Sequence, residues 1–275
     1  MSKFKLKDTI DRLIYRGFNV LSELLFYIKR KERALVAQNV QYKGKHQGEK
    51  FFIMGNGPSL NTLNQKHYEY ISKHISFAVN LFYKNDKFPE FEPTYYAMVD
   101  PLSITKAYES MYTEFDNKYK NSTLIADYRA KELVDKLDRR NRSIYLYSKK
   151  FPTDHIECDI SSNSFITMNV VSTCILIAIY MGAKEIYLLG TDYNSFASRS
   201  DVHFYKEEEG LNRKIENRLG YQLKYYHITT EFHYLIAKLA KEKGVKIVNL
   251  CETSLLDAYP LGRFEDLINN IIPNE

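Results

Sequence analysis

The chain has 275 residues, 44% hydrophobic and 27% charged, which excludes a disordered protein and leaves room for one large domain. A net charge of +5 is a mild surplus, too small to mark a nucleic-acid-binding protein. Three cysteines, Cys158, Cys174 and Cys251, lie far apart without C-x-x-C spacing, which argues against a disulfide framework or zinc knuckle and fits a reducing cytoplasm.

Residues 1–48 read as a basic amphipathic helical appendage. Ile10, Leu13, Ile14, Leu21, Leu24, Leu25 and Ile28 recur at helical spacing, among basic residues that outnumber the nearby acids. Two readings stand: peripheral contact with an anionic membrane through residues 1–40, or packing on the chain's own domain or on a second subunit. Residues 41–49, polar with Gly44 and Gly48, read as a linker. No cleavable apolar leader and no uncharged run of membrane-spanning length is present, so a cytoplasmic protein is expected, at most peripheral on the inner face of the cytoplasmic membrane.

From residue 50 onward strands and helices alternate. Apolar runs at 51–54, 75–79, 95–99, 123–126, 144–147, 185–189 and 245–250 are candidate strands. Helical periodicity fits 59–72, 102–115, 128–138, 170–182, 228–242 and 263–271. The alternation predicts an α/β domain with a mostly parallel sheet and helices on both faces, which binds ligands beyond the carboxyl ends of its strands. Residues 193–227 break the pattern and read as a lid-like insert, with Ser198, Ser200 and Glu207-Glu208-Glu209 among its polar residues.

The first strand stops at Gly55-Asn56-Gly57-Pro58-Ser59, a glycine turn that could offer backbone N–H groups to a phosphate, with Ser59 as helix cap. Neither G-x-G-x-x-G nor G-x-x-x-x-G-K-[ST] is present, which removes most support for hydride transfer or ATPase chemistry. Asn80, Asp100 and Gly190-Thr191-Asp192-Tyr193 follow later strands, and together they point to a ligand cleft at one sheet edge. No Asp-x-Asp triplet closes a strand and no metal is expected; His155, Glu157 and Asp159 near Cys158 make a weak metal set. Of seven histidines, His227 best suits a general base, because a helix start at 228 would keep its ring neutral. His203 is its rival, and His233 is expected to face away from the apolar stripe into solvent.

Gly55-Asn56-Gly57-Pro58-Ser59-Leu60, Ala78-Val79-Asn80-Leu81-Phe82-Tyr83 and the run from Gly182 to Asp192 through Lys184-Glu185-Ile186-Tyr187-Leu188 resemble motifs of bacterial lipooligosaccharide and capsule sialyltransferases. Cys251-Glu252-Thr253-Ser254-Leu255-Leu256 is similar to that family's Cys-x-x-Ser-Leu-Leu ending. The resemblance covers about residues 50–257 and implies a single Rossmann-like, variant GT-A domain over 49–275 with a lid at 193–227. It implies inverting, metal-independent transfer of a sialic or related nonulosonic acid from a CMP-activated donor to an oligosaccharide or lipid-linked glycan at the cell surface. No cofactor and no nucleic-acid partner is implied, and a homo-oligomer is. Carried over residue by residue, the donor nucleotide would contact Gly55, Asn56, Gly57, Ser59, Asn80, Asp100, Ser172, Thr173, Thr253 and Ser254. Tyr193, Asn194, Tyr205, Tyr225 and Tyr226 would supply lid contacts to phosphate, and His227 would be the base. The chain departs from the family in carrying Asp100 where an Asn is usual, and in lacking an Arg before the central helix. Two relatives share the turn: motility accessory factor glycosyltransferases, and hydroxymethyldihydropterin diphosphokinases, whose chemistry is the alternative reading along with a non-sialic glycosyltransferase of this core.

Overall fold

The computed structural model describes residues 3–137, 142–197, 203–206 and 218–269. Eight strands are present: β1 (Lys50–Met54), β2 (Ile75–Val79), β3 (Tyr95–Met98), β4 (Thr123–Asp127), β5 (Ser143–Lys150), β6 (Asn163–Phe165), β7 (Glu185–Leu189) and β8 (Lys246–Asn249). They form one sheet in the order β6-β5-β4-β3-β2-β1-β7-β8, and every neighbouring pair is parallel. Helices are α1 (Lys3–Ile28), α2 (Arg30–Ala37), α3 (Gln65–Ile71), α4 (Ser110–Lys118), α5 (Lys131–Asp135), α6 (Val170–Tyr180), α7 (Leu219–Glu242) and α8 (Phe264–Ile268). None of the described helices is long and apolar enough to cross a membrane.

Alternation along each strand sends side chains to opposite faces, so a sheet covered on both sides needs apolar residues at nearly every position. Phe51 and Ile53 of β1 enter a core shared with α6 and α7, whereas Phe52 and Met54 enter a second core with α3, α4 and α8. The chain lays β2 to β6 outward on one side of β1, then returns to place β7 and β8 on the other. The strand order therefore reverses direction between β1 and β7, and such a switch point is the usual ligand position of an open parallel sheet.

Several expected elements take a different form. The helix expected from 59 is a 3-10 turn, Pro58–Thr62, followed by α3. The one expected from 102 is two 3-10 turns, Pro101–Ile104 and Lys106–Tyr108, ahead of α4. Strand β6 has only three residues, too few for periodicity to reveal. Residues 41–48 are not a free linker. The amides of Gly44, His46 and Gly48 donate to the carbonyls of Tyr180, Met181 and Gly182 at 3.0, 2.9 and 2.8 Å. These are orphan carbonyls at the end of α6, which otherwise lack partners.

Candidate functional site

The glycine turn is welded to the end of β7. Gly55 and Gly57 donate their amides to the carbonyls of Leu189 and Gly190, each at 2.8 Å. A Cβ on Gly57 would stand 2.7 Å from the Gly190 carbonyl and would overlap the Asp192 carboxylate. Gly190 itself holds a left-handed φ of +58°, a conformation glycine reaches without steric cost. The Ser59 amide donates to Asp192 Oδ1 at 3.1 Å, and its hydroxyl to Oδ2 at 2.8 Å. Asp192 is 6% exposed, so a buried carboxylate from the β7 loop caps the Pro58–Thr62 turn. The cap expected from Ser59 thus comes from 133 residues away.

A second brace comes from the chain after β8. The Asn249 side-chain Nδ2 and the Ser254 hydroxyl both donate to the Thr191 carbonyl, at 3.2 and 2.7 Å, and the Leu255 backbone amide donates to the Asp192 carbonyl at 3.1 Å. Thr253 is exposed with its hydroxyl 3.8 Å from Cys251 Sγ, and burial pushes the Cys251 thiol pKa up. Asn249 was not singled out in the sequence, although it ends a strand as Asn56 and Asn80 follow theirs; that shared position is the signal that identifies it.

Two acceptors in this region have no partner. The side-chain oxygens of Asn56 and Asn80 are buried and unbonded, at the ends of the adjacent strands β1 and β2. Their backbones are fixed, since the Phe204 amide donates to the Asn56 carbonyl at 2.9 Å and the Tyr96 hydroxyl to the Asn80 carbonyl at 2.7 Å. Asn80 also has φ +48°, and Met168 and Tyr193 have φ +54° and +55°. These are the non-glycine residues in the left-handed region among the described residues, and each follows a strand at the same sheet edge. Such strain persists only where surrounding structure enforces it, and it clusters at ligand sites.

Other expected site residues divide between those facing the edge and those turned inward. Asp100 accepts from the Leu102 amide at 2.8 Å and so caps the Pro101–Ile104 turn. The Tyr225 hydroxyl donates to the Met168 carbonyl at 2.7 Å; desolvation chiefly, with smaller contributions that include Asp100, raises its pKa. Ser172 is wholly buried, with its hydroxyl 3.0 Å from His233 Nε2, and Thr173 pairs with Thr167 at 2.8 Å. The Tyr226 hydroxyl pairs with Ser195, and its ring meets Tyr193 edge-on at 4.7 Å. Tyr193 in turn pairs through its hydroxyl with Thr229. Asn194 accepts from the Ala197 amide at 3.0 Å through its carbonyl. Tyr205 lies parallel to His203 at 4.9 Å, with Lys84 Nζ 5.6 Å from its ring. Ser198, Ser200 and Glu207 to Glu209 of the expected lid lie outside the described residues.

Two histidines differ from expectation. Helix α7 begins at Leu219, so His227 sits in its third turn and not at its positive end, and the dipole argument for a neutral ring does not apply. His227 is exposed, and the nine residues to fully buried Ile236 amount to half a turn beyond two whole ones, which puts it on the opposite side of the helix. His233, expected in solvent, has no exposed surface and is held between Ser172 and the Tyr259 hydroxyl, the latter 2.9 Å from Nδ1. Burial lowers its pKa to about 3. Among the described residues no three His, Cys, Asp or Glu side chains are grouped as a metal would need.

A family model, MptE-like (6-hydroxymethylpterin diphosphokinase MptE-like), matches residues 22–195. No curated protein matches the chain by sequence. Among solved structures, the chain is similar to the sialyltransferase CstII from Campylobacter jejuni in complex with cytidine-5'-monophosphate, at 18% identity over 83% of this chain and 88% of that one, with a TM-score of 0.48. It is also similar to a MAf glycosyltransferase from Magnetospirillum magneticum AMB-1, at 12% identity and a TM-score of 0.48, covering 84% of this chain and 38% of that one.

Proposed function

We propose a group-transfer activity for this chain, which belongs to the MptE-like family: glycosyl transfer from a CMP-activated sialic or related nonulosonic acid to a cell-surface glycan. The observation that carries the reading is the pair of buried, unpartnered amide oxygens on Asn56 and Asn80. A buried acceptor without a donor costs about 1–3 kcal/mol, so a ligand that brings donors is favoured there. A nucleoside brings them as ribose hydroxyls and the cytosine amine, whereas a fully deprotonated phosphate group brings only acceptors. The glycines at 55 and 57 let the chain after β7 pack against the turn backbone, and Ser59, Asp192 and Ser254 hold the turn in shape beside those two oxygens. Asp100 and Tyr225 border the neighbouring strand end, where the donor sugar would lie. His227 is assigned as the base on the acceptor side, its exposed ring open to an incoming hydroxyl. Inverting displacement needs one such base and no covalent intermediate.

A second reading, diphosphate transfer from ATP to a pterin, is favoured by the description of the matching family model. The two separate in a melting-temperature panel of CMP, CDP, UDP, GDP and ATP, each with and without EDTA. The glycosyltransferase reading expects stabilisation by CMP that survives the chelator. Stabilisation by ATP alone, abolished by EDTA, would replace it with the diphosphokinase reading. With the donor in hand, His227→Ala should leave CMP binding intact and lower turnover by about a hundred- to ten-thousand-fold. Unchanged turnover would remove His227 from the mechanism.

A further inference from the structure

Helix α1 carries its amphipathic pattern the wrong way round for a helix that packs on its own domain. Tyr15, Asn19, Ser22 and Phe26, spaced as one helical stripe, face the sheet edge. Asn19 clamps the backbone of Phe151, donating to its carbonyl at 2.9 Å and accepting from its amide at 2.8 Å. Ser22 accepts from Asn163 at 2.9 Å, and the Phe26 ring lies 4.9 Å from Tyr147. Residues two positions along lie about 200° around the helix. There the stripe is Ile10, Ile14, Leu21, Leu24 and Ile28, with Ile14 61%, Leu24 60% and Ile28 72% exposed. Aromatic rings and polar groups together dock the helix, and the aliphatic stripe looks outward.

We infer that this outward face lies on an anionic lipid bilayer. The apolar arc, widened by Val20 and Leu25, spans close to half the helix circumference, broader than the seam between two paired helices. Charge selects the partner. Residues 1–33 hold nine Lys and Arg against four Asp and Glu, so this segment alone carries the +5 of the whole chain and the rest is balanced. Basic residues flank the apolar stripe at both ends, at Lys3, Lys5 and Lys7 and again at Lys29, Arg30, Lys31 and Arg33. An apolar face bounded by cations is the pattern of a helix lying in the interface of an anionic membrane. The helix runs antiparallel to β5, since Phe26 meets Tyr147 inside the strand and Asn19 meets Phe151 just beyond it. At 1.5 Å per residue, the turns before Asn19 reach about 20 Å past the carboxyl edge of the sheet. The N-terminal turns of α1 thus extend beyond the sheet edge that bears Asn56 and Asn80.

The test uses the full chain and sedimentation with vesicles of phosphatidylglycerol and phosphatidylcholine, or of phosphatidylcholine alone. The wild-type protein should bind the anionic vesicles at least about tenfold more strongly than the neutral ones. Ile14→Glu with Leu21→Glu should weaken that binding at least about tenfold. The melting temperature should change little, because Ile14 and Leu21 are 61% and 53% exposed. Binding that survives the double substitution, or equal binding to both vesicles, overturns the inference. So does a dimer in sedimentation velocity that the substitutions split, since a second copy would then cover the face. Nucleotide binding enters none of these outcomes, so they stand apart from the transfer reading.

Discussion

His233 makes a measurable statement about pH. Its ring is sealed between α6 and the C-terminal segment, bonded to Ser172 on one nitrogen and Tyr259 on the other, with the Tyr193 ring edge-on at 5.6 Å. Among the described residues no carboxylate contacts it, and burial lowers its pKa to about 3. The unfolded chain binds a proton there below about pH 6.5, whereas the folded chain does not until about pH 3. Stability contributed by the neutral ring is therefore complete above pH 6.5 and is lost as pH falls through this window. The slope for one group is about 1.4 kcal/mol per pH unit, so the fall from pH 6.5 to 5 is about 2 kcal/mol. Urea unfolding followed by circular dichroism, in wild-type protein and in His233→Gln, isolates this contribution. Other titrating groups, among them His74, whose pKa burial also lowers, act in both proteins and cancel. The wild-type curve should drop by about 2 kcal/mol relative to the variant over that range. Parallel curves would show that His233 takes up its proton in the folded state, and the buried neutral ring would be refuted.

Gly57→Ala places a methyl group against Asp192 and the Gly190 carbonyl, and it should cost about 2 kcal/mol or more, seen as a melting temperature lower by about 4 °C or more. A variant that melts with the wild type would mean that the two loops are not locked together. Asn80→Gly separates strain from binding. Because Asn80 has φ +48°, glycine there should leave stability unchanged or raise it by up to about 1 kcal/mol, while CMP affinity measured by calorimetry falls at least about tenfold. Unchanged affinity would take Asn80 out of the nucleotide site.

The sheet was largely legible because burial on both faces writes itself as apolar runs. Seven of the eight strands coincide with runs visible in the sequence, and each run ends within a few residues of its observed strand. Helices read less well. The segments after β1 and β3 have helical spacing, yet Pro58 and Pro101 stand at the head of 3-10 turns that delay the true helices. Helix α7 departs in the other direction, starting earlier than its apolar spacing indicates. Residues 219–227 belong to the helix, but Leu219, Tyr221, Leu223 and His227 are exposed, so no apolar stripe announces them. That displaced start removed the reason for a neutral His227. The inward turn of His233 is not legible in the sequence, because a polar residue among apolar neighbours reads as an outward one unless its partners are known.

The site was legible in position but not in orientation. Periodicity tells which sheet face a strand residue occupies, but it says nothing about a side chain beyond the strand end, whose direction depends on partners remote in sequence. Ser59 turns to Asp192, 133 residues on, Ser172 to His233, 61 residues on, and Ser254 to Thr191, 63 residues back. Each looked like a ligand group and is occupied within the fold. Asn56 and Asn80 have the same sequence signature but retain an unpartnered buried oxygen. Substitution in the first group should lower stability and binding together, because the turn loses its brace. Substitution in the second should lower binding alone. A loss of nucleotide affinity therefore identifies a contact residue only when the melting temperature of the same variant holds.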